Sequence, residues 1–173
     1  MQIAPLAALS IEPLHARHDR TSFASGVAEL DRYLHTQAGQ DGRRSVAATF
    51  VLLRDGKTIL GYYTLSACGI RLADLSAEAS KKLPKYPLLP ATLLGRLAIG
   101  REWQGQKLGQ FMLMDALRRS LKTTREIGSI GVVVDAYDDN ATKFYLHHEF
   151  TFLPGQARKL FLAMPTIKRL FSE

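Results

Sequence analysis

Residues 94–110 read LGRLAIGREWQGQKLGQ, and three kinds of local structure follow one another in this stretch. The apolar start predicts a β-strand, the middle rich in glycine, glutamine and lysine predicts a turn, and apolar residues at helical spacing from Leu108 predict an amphipathic helix. A strand, a turn and a helix in this order direct several backbone N–H groups to one point at the positive end of the helix dipole. The stretch therefore predicts an anion site suited to a pyrophosphate, with an ordinary strand-to-helix connection as the alternative.

The turn differs from two widespread phosphate-binding motifs. It lacks the Gly-Lys-Ser/Thr ending of a Walker A loop, so it offers no hydroxyl for Mg²⁺. It also has too few glycines for a dinucleotide fingerprint, and no opening strand of a Rossmann unit precedes it near the N-terminus.

A second stretch, residues 138–150, reads DDNATKFYLHHEF and follows an almost entirely apolar strand at 130–136. Together the two stretches resemble the GCN5-related N-acetyltransferase family, abbreviated GNAT. In that family a strand leads into a Gln/Arg-x-x-Gly-x-Gly/Ala turn that holds the acetyl-CoA pyrophosphate. A helix of the form Asn-x-x-Ala-x-x-Phe/Leu-Tyr-x-x-x-Gly-Phe comes later. The resemblance covers roughly residues 20–165, and the pair of motifs is more specific than either one.

Three positions depart from the family motifs. Lys107 stands where the first glycine of the turn is usual, although Gly109 matches the second. Asp138 replaces the asparagine of the helix motif, and Glu149 replaces its glycine. Because a lysine adopts positive φ less readily than a glycine, we expect the turn to differ slightly from that of the family.

Residues 23–34 read FASGVAELDRYL, which narrows the resemblance to one branch of the family. This branch comprises the GNAT toxins of bacterial type II toxin–antitoxin pairs, whose fold begins with Phe-x-Cys/Ser-Gly-x-x-x-Leu-x-x-Tyr/Trp-Leu. The resemblance implies a toxin that acetylates the amino acid on charged tRNA and so inhibits translation. It also implies a homodimer, and a small antitoxin partner of the ribbon–helix–helix DNA-binding type.

Composition and charge fit this interpretation. Hydrophobic residues make up 46% of the chain and charged residues 23%, as in an ordered soluble protein. No apolar run approaches the length of a membrane span, and the N-terminus lacks a basic signal-peptide region, so we expect a cytoplasmic protein without membrane contact. A single cysteine, Cys68, excludes an internal disulfide and a cysteine-rich zinc site, and we expect no metal. The net charge of +7 favours a polyanionic partner, with cofactor phosphates and solubility as competing explanations.

The pattern along the chain predicts a single α/β (α+β) GNAT domain over residues 1–173, with a mixed, mostly antiparallel sheet flanked by helices. The predicted elements are an edge strand within 1–20, a helix at 25–40 capped by Ser25-Gly26, strands at 46–53 and 59–70, a helix at 75–83 capped by Ser76, a loop broken by Pro84, Pro87 and Pro90, a strand at 91–99, a helix from 108 to about 128, a strand at 130–136, a helix at 140–147, and short final strands at 150–153 and 160–163.

The resemblance also implies where the substrates bind. The sheet would part between its fourth and fifth strands, 91–99 and 130–136, and admit the pantetheine arm. Residues implied to bind acetyl-CoA are Leu97, Ala98 and Ile99 for the arm, Gln104, Gly105, Gln106, Lys107, Leu108 and Gly109 for the pyrophosphate, and Asn140 and Phe144. Residues expected near the charged tRNA are Lys81, Lys82 and Lys85 beside the proline loop, and Arg96, for which a buried pairing with a carboxylate is an equal alternative.

Tyr145 is the candidate catalytic residue. A tyrosine with a pKa of about 10 stays protonated at neutral pH and can donate to a departing thiolate, whose thiol has a pKa of about 8.5. The alternative is that Tyr145 only packs its helix against the sheet. No strong general base stands out, since Glu102, Asp135 and Asp138 fit surface or capping roles better. A weak base suffices for an α-amino group, which titrates at about 7.7–8.0, and an aminoacyl ester should titrate lower still.

Two other functions remain open from the sequence. One is a GNAT enzyme that acetylates a small amine or a protein N-terminus. The other is a regulator that binds acetyl-CoA without catalysis.

Overall fold

A seven-stranded mixed sheet forms within residues 8–172, the part of the chain that the computed structural model describes. The strands are β1 (Ser10–Pro13), β2 (Ala48–Leu53), β3 (Ile59–Arg71), β4 (Leu88–Ile99), β5 (Gly131–Asp135), β6 (Thr151–Phe152) and β7 (Lys159–Ala163). Their order in the sheet is β1-β2-β3-β4-β5-β7-β6. β4 and β5 are parallel, whereas β1–β2, β2–β3, β5–β7 and β6–β7 are antiparallel. The predicted mixed, mostly antiparallel sheet is confirmed, and β1 lies at its edge as expected.

Helices flank the sheet, as predicted. The α-helices of the described chain are α1 (Ala28–Arg32), α2 (Ala38–Arg43), α3 (Ala77–Lys81), α4 (Leu108–Thr123), α5 (Asp139–His147) and α6 (Met164–Leu170). A π-helical turn, Tyr33–Gln37, joins α1 to α2 into one helical run. No helix among residues 8–172 has the length and apolar character needed to cross a membrane.

The chain divides into two compact units. The first unit comprises Met1–Ser66 and Gly95–Ala116, of which residues 1–7 lie outside the described chain. The second unit comprises Ala67–Leu94 and Leu117–Glu173, described as far as residue 172. The assignment of residues 1–173 to one domain stays a prediction.

The first unit has its own core, in which the helical run from α1 to α2 packs against strands. The hydroxyl of Tyr62 on β3 donates a hydrogen bond of 2.7 Å to the Leu30 carbonyl. The Tyr62 ring also stacks on Tyr33, with ring centroids 6.3 Å apart. The buried members of this core are Phe23, Tyr33, Leu34, Ala38, Val51, Leu53, Ile59, Tyr62 and Ala98.

The predicted cap of the first helix is wrong. The helix begins at Ala28, and its N-cap residue is Val27, which makes no side-chain capping bond. Ser25 lies before the helix and is bound to Asp31, because both its backbone N–H and its hydroxyl donate to Asp31 Oδ1, at 2.8 and 2.6 Å. This contact fixes how the chain enters α1, and a carboxylate six residues along is not part of any capping motif.

The core of the second unit contains Ile70, Leu75, Leu89, Ala91, Val133, Leu153 and Phe161. Gly131 opens β5 opposite Ala163 of β7, and a β-carbon at this position would collide with the Leu162 carbonyl and the Phe161 ring. The predicted cap of α3 is confirmed, since Ser76 Oγ accepts from the Ala79 N–H at 3.1 Å.

Three predictions about the elements of this unit are wrong. Pro90 does not break regular structure but lies inside β4, which is sterically possible because its fixed φ suits an extended strand. α4 ends at Thr123 rather than near Gly128. At this end, the hydroxyls of Thr123 and Thr124 donate to the carbonyls of Arg119 and Leu121. The chain also does not finish with strands, because α6 follows β7.

Candidate active site

The turn before α4 is held from behind by four hydrogen bonds. The Gly100 N–H donates to the Leu60 carbonyl at 2.8 Å, and the Arg101 N–H donates to the Ala24 carbonyl at 2.7 Å. The Gln104 side-chain amide donates to the carbonyls of Ser25 and Ile99, both at 2.9 Å. The Gln104 side chain is therefore used to brace the turn, which leaves its backbone as the part that could meet a ligand.

The front of the turn carries free backbone donors. Within residues 8–172, no acceptor is found for the N–H groups of Gln104, Gly105, Lys107, Leu108 and Gly109. The last two belong to the first turn of α4, whose N–H groups have no intrahelical partner. A group of unpaired N–H donors at the positive end of a sixteen-residue helix fits a pyrophosphate. A strand, a turn and a helix follow one another as the sequence predicted, and the binding of a pyrophosphate at this turn stays a prediction.

Lys107 adopts the left-handed backbone conformation that glycine adopts readily. Its φ is +62°, and that of Gly105 is +81°. A side chain in this region carries some cost in strain, and a difference between this turn and that of the family stays a prediction. The exposed Lys107 side chain adds a positive charge at the turn.

Leu97, Ala98 and Ile99 form the end of β4. Ala98 is buried in the core of the first unit, and the Ile99 carbonyl is bound by Gln104. Their pairing with a pantetheine arm stays a prediction, as does the parting of the sheet.

Tyr145 is fixed by the way α5 ends. The Phe150 N–H donates to the Tyr145 carbonyl at 3.1 Å, and the Glu149 N–H donates to the Leu146 carbonyl at 3.2 Å. These two bonds, with Glu149 at φ +72°, form a Schellman motif, in which glycine usually occupies the left-handed position. The Phe150 ring packs edge-on against the Tyr145 ring at a centroid distance of 5.3 Å. The Glu149 departure therefore preserves the helix end that holds Tyr145.

The hydroxyl of Tyr145 is the unusual feature of this helix. The residue is only 6% exposed, yet its hydroxyl has no hydrogen-bond partner among residues 8–172. The hydroxyl oxygen itself is not fully buried, since the only fully buried side-chain oxygen or nitrogen without a partner in this part of the chain is Thr49 Oγ1. Burial raises the pKa of Tyr145 well above its ordinary value, so the group is a protonated donor across the physiological pH range.

The neighbours of Tyr145 on α5 have separate roles. Asp138 is the N-cap and accepts from the Ala141 N–H at 2.8 Å, which confirms the capping alternative for this candidate base. Phe144 packs edge-on against Tyr145 at 5.2 Å, and its carbonyl accepts from His148 Nδ1 at 2.8 Å. Asn140 is exposed in the first turn, and its contact with the cofactor stays a prediction.

The other candidate bases lie at the surface. Glu102 and Asp135 are exposed, and Asp135 Oδ1 lies 3.8 Å from the amino group of Lys159. Among the described residues, no group of three or more His, Cys, Asp or Glu side chains could hold a metal ion.

Arg96 forms no ion pair with a carboxylate of residues 8–172. Its guanidinium carbon lies 3.5 Å from the centroid of the Tyr33 ring, a close cation–π contact. The Tyr33 hydroxyl donates to Asp41 at 2.9 Å. The pKa of Tyr33 is raised chiefly by burial, with this hydrogen bond as the second cause. The pKa of Asp41 is lowered chiefly by hydrogen bonds from Gln37 and Tyr33, with the Arg96 charge as a smaller cause.

The Arg96 contact was missed from the sequence. The toxin-branch segment specifies an aromatic residue at position 33, so the sequence marked Tyr33 as important. It did not indicate the contact, because sixty-odd residues separate Tyr33 from Arg96. The lysines expected near the tRNA belong to the second unit and are all exposed, namely Lys81 and Lys82 at the end of α3 and Lys85 beyond it.

Known proteins support the same assignment. No family model matches the chain. A relative from Mycobacterium tuberculosis, named tRNA-acetylating toxin, is 34% identical over 155 residues, which cover 90% of this chain and 92% of the relative. Among solved structures, a tyrosine-to-phenylalanine mutant of KacT is 29% identical with a TM-score of 0.89, and covers 94% of this chain and 99% of its own. AtaT complexed with acetyl-methionyl-tRNAfMet is 32% identical with a TM-score of 0.88, at 95% and 99% coverage.

Two further structures show relatives with other molecules. AtaTR bound with acetyl-CoA is 31% identical with a TM-score of 0.84, and covers 95% of this chain and 98% of its own. A mutant of AtaT bound to the C-terminus of the antitoxin AtaR is 26% identical with a TM-score of 0.82, at 96% and 99% coverage.

The mixed sheet with parallel β4 and β5, the turn before α4 and the α5 motif define an acetyltransferase of the GNAT class. The chain belongs to the family of tRNA-acetylating toxins within that class.

Proposed function

We propose that this chain is the toxin of a bacterial toxin–antitoxin pair, and that it transfers the acetyl group of acetyl-CoA to the α-amino group of the amino acid on charged tRNA. The names of its relatives support this substrate and this cofactor. The observation that carries the proposal is Tyr145, whose ring is buried and whose protonated hydroxyl has no partner in the described chain.

The turn before α4 binds the cofactor. Its free N–H groups at Gln104, Gly105 and residues 107–109 donate to the pyrophosphate oxygens, and Lys107 adds a positive charge. The ends of the β4 backbone at Leu97, Ala98 and Ile99 hold the pantetheine arm, and Asn140 and Phe144 complete the contacts. Because acetyl-CoA supplies an activated thioester, the protein only has to position it and to stabilise the departing sulfur.

Tyr145 assists the departure of the thiolate. The amine nitrogen attacks the thioester carbonyl carbon, and the C–S bond breaks with its electron pair leaving on sulfur. The Tyr145 hydroxyl donates its proton to this sulfur, and the tyrosine oxygen regains a proton from the ammonium formed by the attack. The products are free coenzyme A and N-acetylated aminoacyl-tRNA, so atoms and charge balance.

Tyr145 must regain a proton as it donates its own to the sulfur. A free thiol has a pKa of about 8.5 and tyrosine starts from about 10, so transfer from tyrosine alone is uphill by about 2 kcal/mol or more. Burial raises the Tyr145 pKa further and increases this gap. Net transfer of a proton to the thiolate becomes downhill when the tyrosine regains its proton from an ammonium that titrates below about 8, since the thiol titrates at about 8.5. An α-amino acceptor can therefore react without a strong base.

The finer features of the partners come from the family resemblance. The antitoxin is a small ribbon–helix–helix protein, the toxin is a cytoplasmic homodimer, and Arg96, Lys81, Lys82 and Lys85 contact the charged tRNA. The AtaR complex of a relative supports an antitoxin of some kind. Analytical ultracentrifugation of the purified chain tests the homodimer directly.

The decisive experiment incubates the purified chain with acetyl-CoA and total charged tRNA, and identifies the released aminoacyl groups by mass spectrometry. N-acetylated amino acids should appear with the wild type and with Tyr137→Phe, but not with Tyr145→Phe. Tyr137 is a matched control because it loses the same hydroxyl from a side chain that is 51% exposed. Acetylation of small amines or protein N-termini instead of tRNA would overturn the proposal. So would tight acetyl-CoA binding without any turnover.

A further inference from the structure

A large groove runs between the end of α4 and α6 in the second unit. It has a volume of about 1100 Å³. We call it the α4–α6 groove, and the residues that line it are Arg118, Leu121, Lys122, Thr124, Arg125, Met164, Pro165, Lys168, Leu170, Phe171 and Ser172. None of them belongs to the sites proposed above for acetyl-CoA, catalysis or tRNA.

The spacing of these residues gives the groove two kinds of surface. Arg118, Leu121, Lys122 and Arg125 follow one another at helical spacing, so they share a face of α4 and of the turn after it. Along α6 and the residue after it, Met164, Lys168 and Phe171 recur in the same way. Basic and apolar side chains therefore stand beside one another along the groove, and we call Leu121, Met164 and Leu170 its apolar floor.

Within residues 8–172, no carboxylate compensates the positive charges of the groove. Arg118, Lys122, Arg125 and Lys168 are exposed, and in this part of the chain no Asp or Glu lines the groove and none of the four has an ion-pair partner. Arg118 lies over the Phe171 ring with 5.0 Å between its guanidinium carbon and the centroid. An anionic partner would relieve the repulsion among these four charges.

We propose that the α4–α6 groove binds an acidic, amphipathic segment of a protein partner. Such a segment places carboxylates against the four cations and apolar side chains on the floor of Leu121, Met164 and Leu170. A nucleic-acid backbone would meet the cations but would leave this floor, including a Leu170 that is 38% exposed, without apolar contacts. That the partner is the antitoxin rests on the proposed function, whereas the chemistry of the segment rests on the groove alone.

The test uses two fluorescein-labelled peptides of about 16 residues, each made of glutamate, alanine and leucine, with the full chain and no acetyl-CoA. In the first peptide the leucines recur at i, i+3, i+4 and i+7, and in the second the same leucines are spread around the helix. By fluorescence anisotropy, the first peptide should bind at least ~10-fold more tightly than the second. Equal binding would mean that only charge is recognised, and absence of binding would mean that the groove accepts no such segment. Either result overturns the proposal.

Variants then locate the binding. Lys122→Glu/Lys168→Glu and, separately, Leu170→Ser should each weaken the first peptide at least ~10-fold, and Arg125→Glu provides a second charge reversal if the double variant does not fold. The matched control is Arg32→Glu/Lys57→Glu, which changes the net charge equally at two exposed positions outside the groove and should leave the affinity unchanged. Circular dichroism checks the fold of each variant.

Uncharged tRNA and acetyl transfer complete the test. The groove variants should bind tRNA and acetylate charged tRNA as the wild type does. If they lose tRNA affinity as strongly as peptide affinity, the groove is a nucleic-acid surface and the proposal is wrong. If the wild type acetylates no tRNA while the peptide results hold, the proposed function fails and the groove proposal stands.

Discussion

Tyr145 and Tyr62 should respond in opposite ways to the loss of one hydroxyl. Both rings are buried, but the Tyr62 hydroxyl donates to the Leu30 carbonyl at 2.7 Å, whereas the Tyr145 hydroxyl has no partner among residues 8–172. Phenylalanine keeps each ring and its packing. Tyr145→Phe should therefore affect catalysis with little effect on stability, and Tyr62→Phe should affect stability with little effect on catalysis.

The sizes of the two effects follow from these contacts. General acid catalysis contributes on the order of 10²–10⁴ in rate, so Tyr145→Phe should raise the activation barrier by about 3–5 kcal/mol. Its free energy of unfolding should change by less than about 0.5 kcal/mol, because no hydrogen bond to another residue of the described chain is lost. Tyr62→Phe leaves the Leu30 carbonyl without its donor, which should cost about 1–2 kcal/mol, or roughly 2–8 °C in Tm at this chain length.

The assays are single-turnover acetylation of charged tRNA at saturating acetyl-CoA, and urea unfolding followed by circular dichroism. Tyr137→Phe serves as control in both, since its exposed hydroxyl should matter to neither. Tyr145 would be a structural tyrosine if Tyr145→Phe kept the wild-type rate, or if this variant lost more than about 1 kcal/mol of stability.

Four other predictions concern the turn before α4 and the end of α5, the cofactor site, the loop between β2 and β3, and the charged surface. Lys107→Gly and Glu149→Gly each remove left-handed strain, so thermal unfolding should show each variant more stable by up to about 1 kcal/mol; a lower Tm would mean that the side chain makes a compensating contact. Gly109→Asp places a carboxylate at the free N–H groups and should strongly weaken acetyl-CoA binding by calorimetry, whereas unchanged affinity would move the cofactor site elsewhere. Hydrogen bonds from Thr58 and Lys57 lower the pKa of Asp55 to about 2 from 3.8, so its stabilising effect is present above pH 4 and is lost as the pH falls towards 2. The stability difference between wild type and Asp55→Asn, followed by urea unfolding, should therefore shrink over that interval, and a constant difference would contradict this account. Transfer to charged tRNA should fall steeply with salt after correction for acetyl-CoA affinity, and reversing the lysines within residues 81–85 should raise KM for tRNA; a flat dependence and an unchanged KM would argue against tRNA as acceptor.

Local signals in the sequence predicted the elements that carry the motifs. Alternation and apolar runs located β2, β3 and β5 to within a few residues, and Ser76 was correctly recognised as the cap of α3. These predictions held because a strand face or a cap depends on residues only a few positions apart. The same holds for the turn before α4 and for α5, whose order and spacing revealed the GNAT class.

Other local features depended on the surroundings and were predicted wrongly. Ser25 has the sequence context of a helix cap, but its bonds to Asp31 take precedence. Pro90 has the signal of a breaker, but it lies in β4. The capping preference of a serine is worth about 1 kcal/mol, and the preference of a proline is a steric tendency. Contacts with the surrounding structure can outweigh both.

The sequence by itself determined the class of the protein, and it supplied the predictions that Tyr145 acts as the acid and that the backbone before α4 holds the pyrophosphate. Only the tertiary structure decided that Lys107 and Glu149 adopt left-handed backbone conformations, that Arg96 stacks on Tyr33, and that Tyr145 is a buried residue whose hydroxyl has no partner in the described chain. The physical reason is the range of the interactions. A motif records which groups occur at a fixed spacing along the chain, whereas strain, burial and an unpaired hydroxyl depend on atoms that only folding brings together.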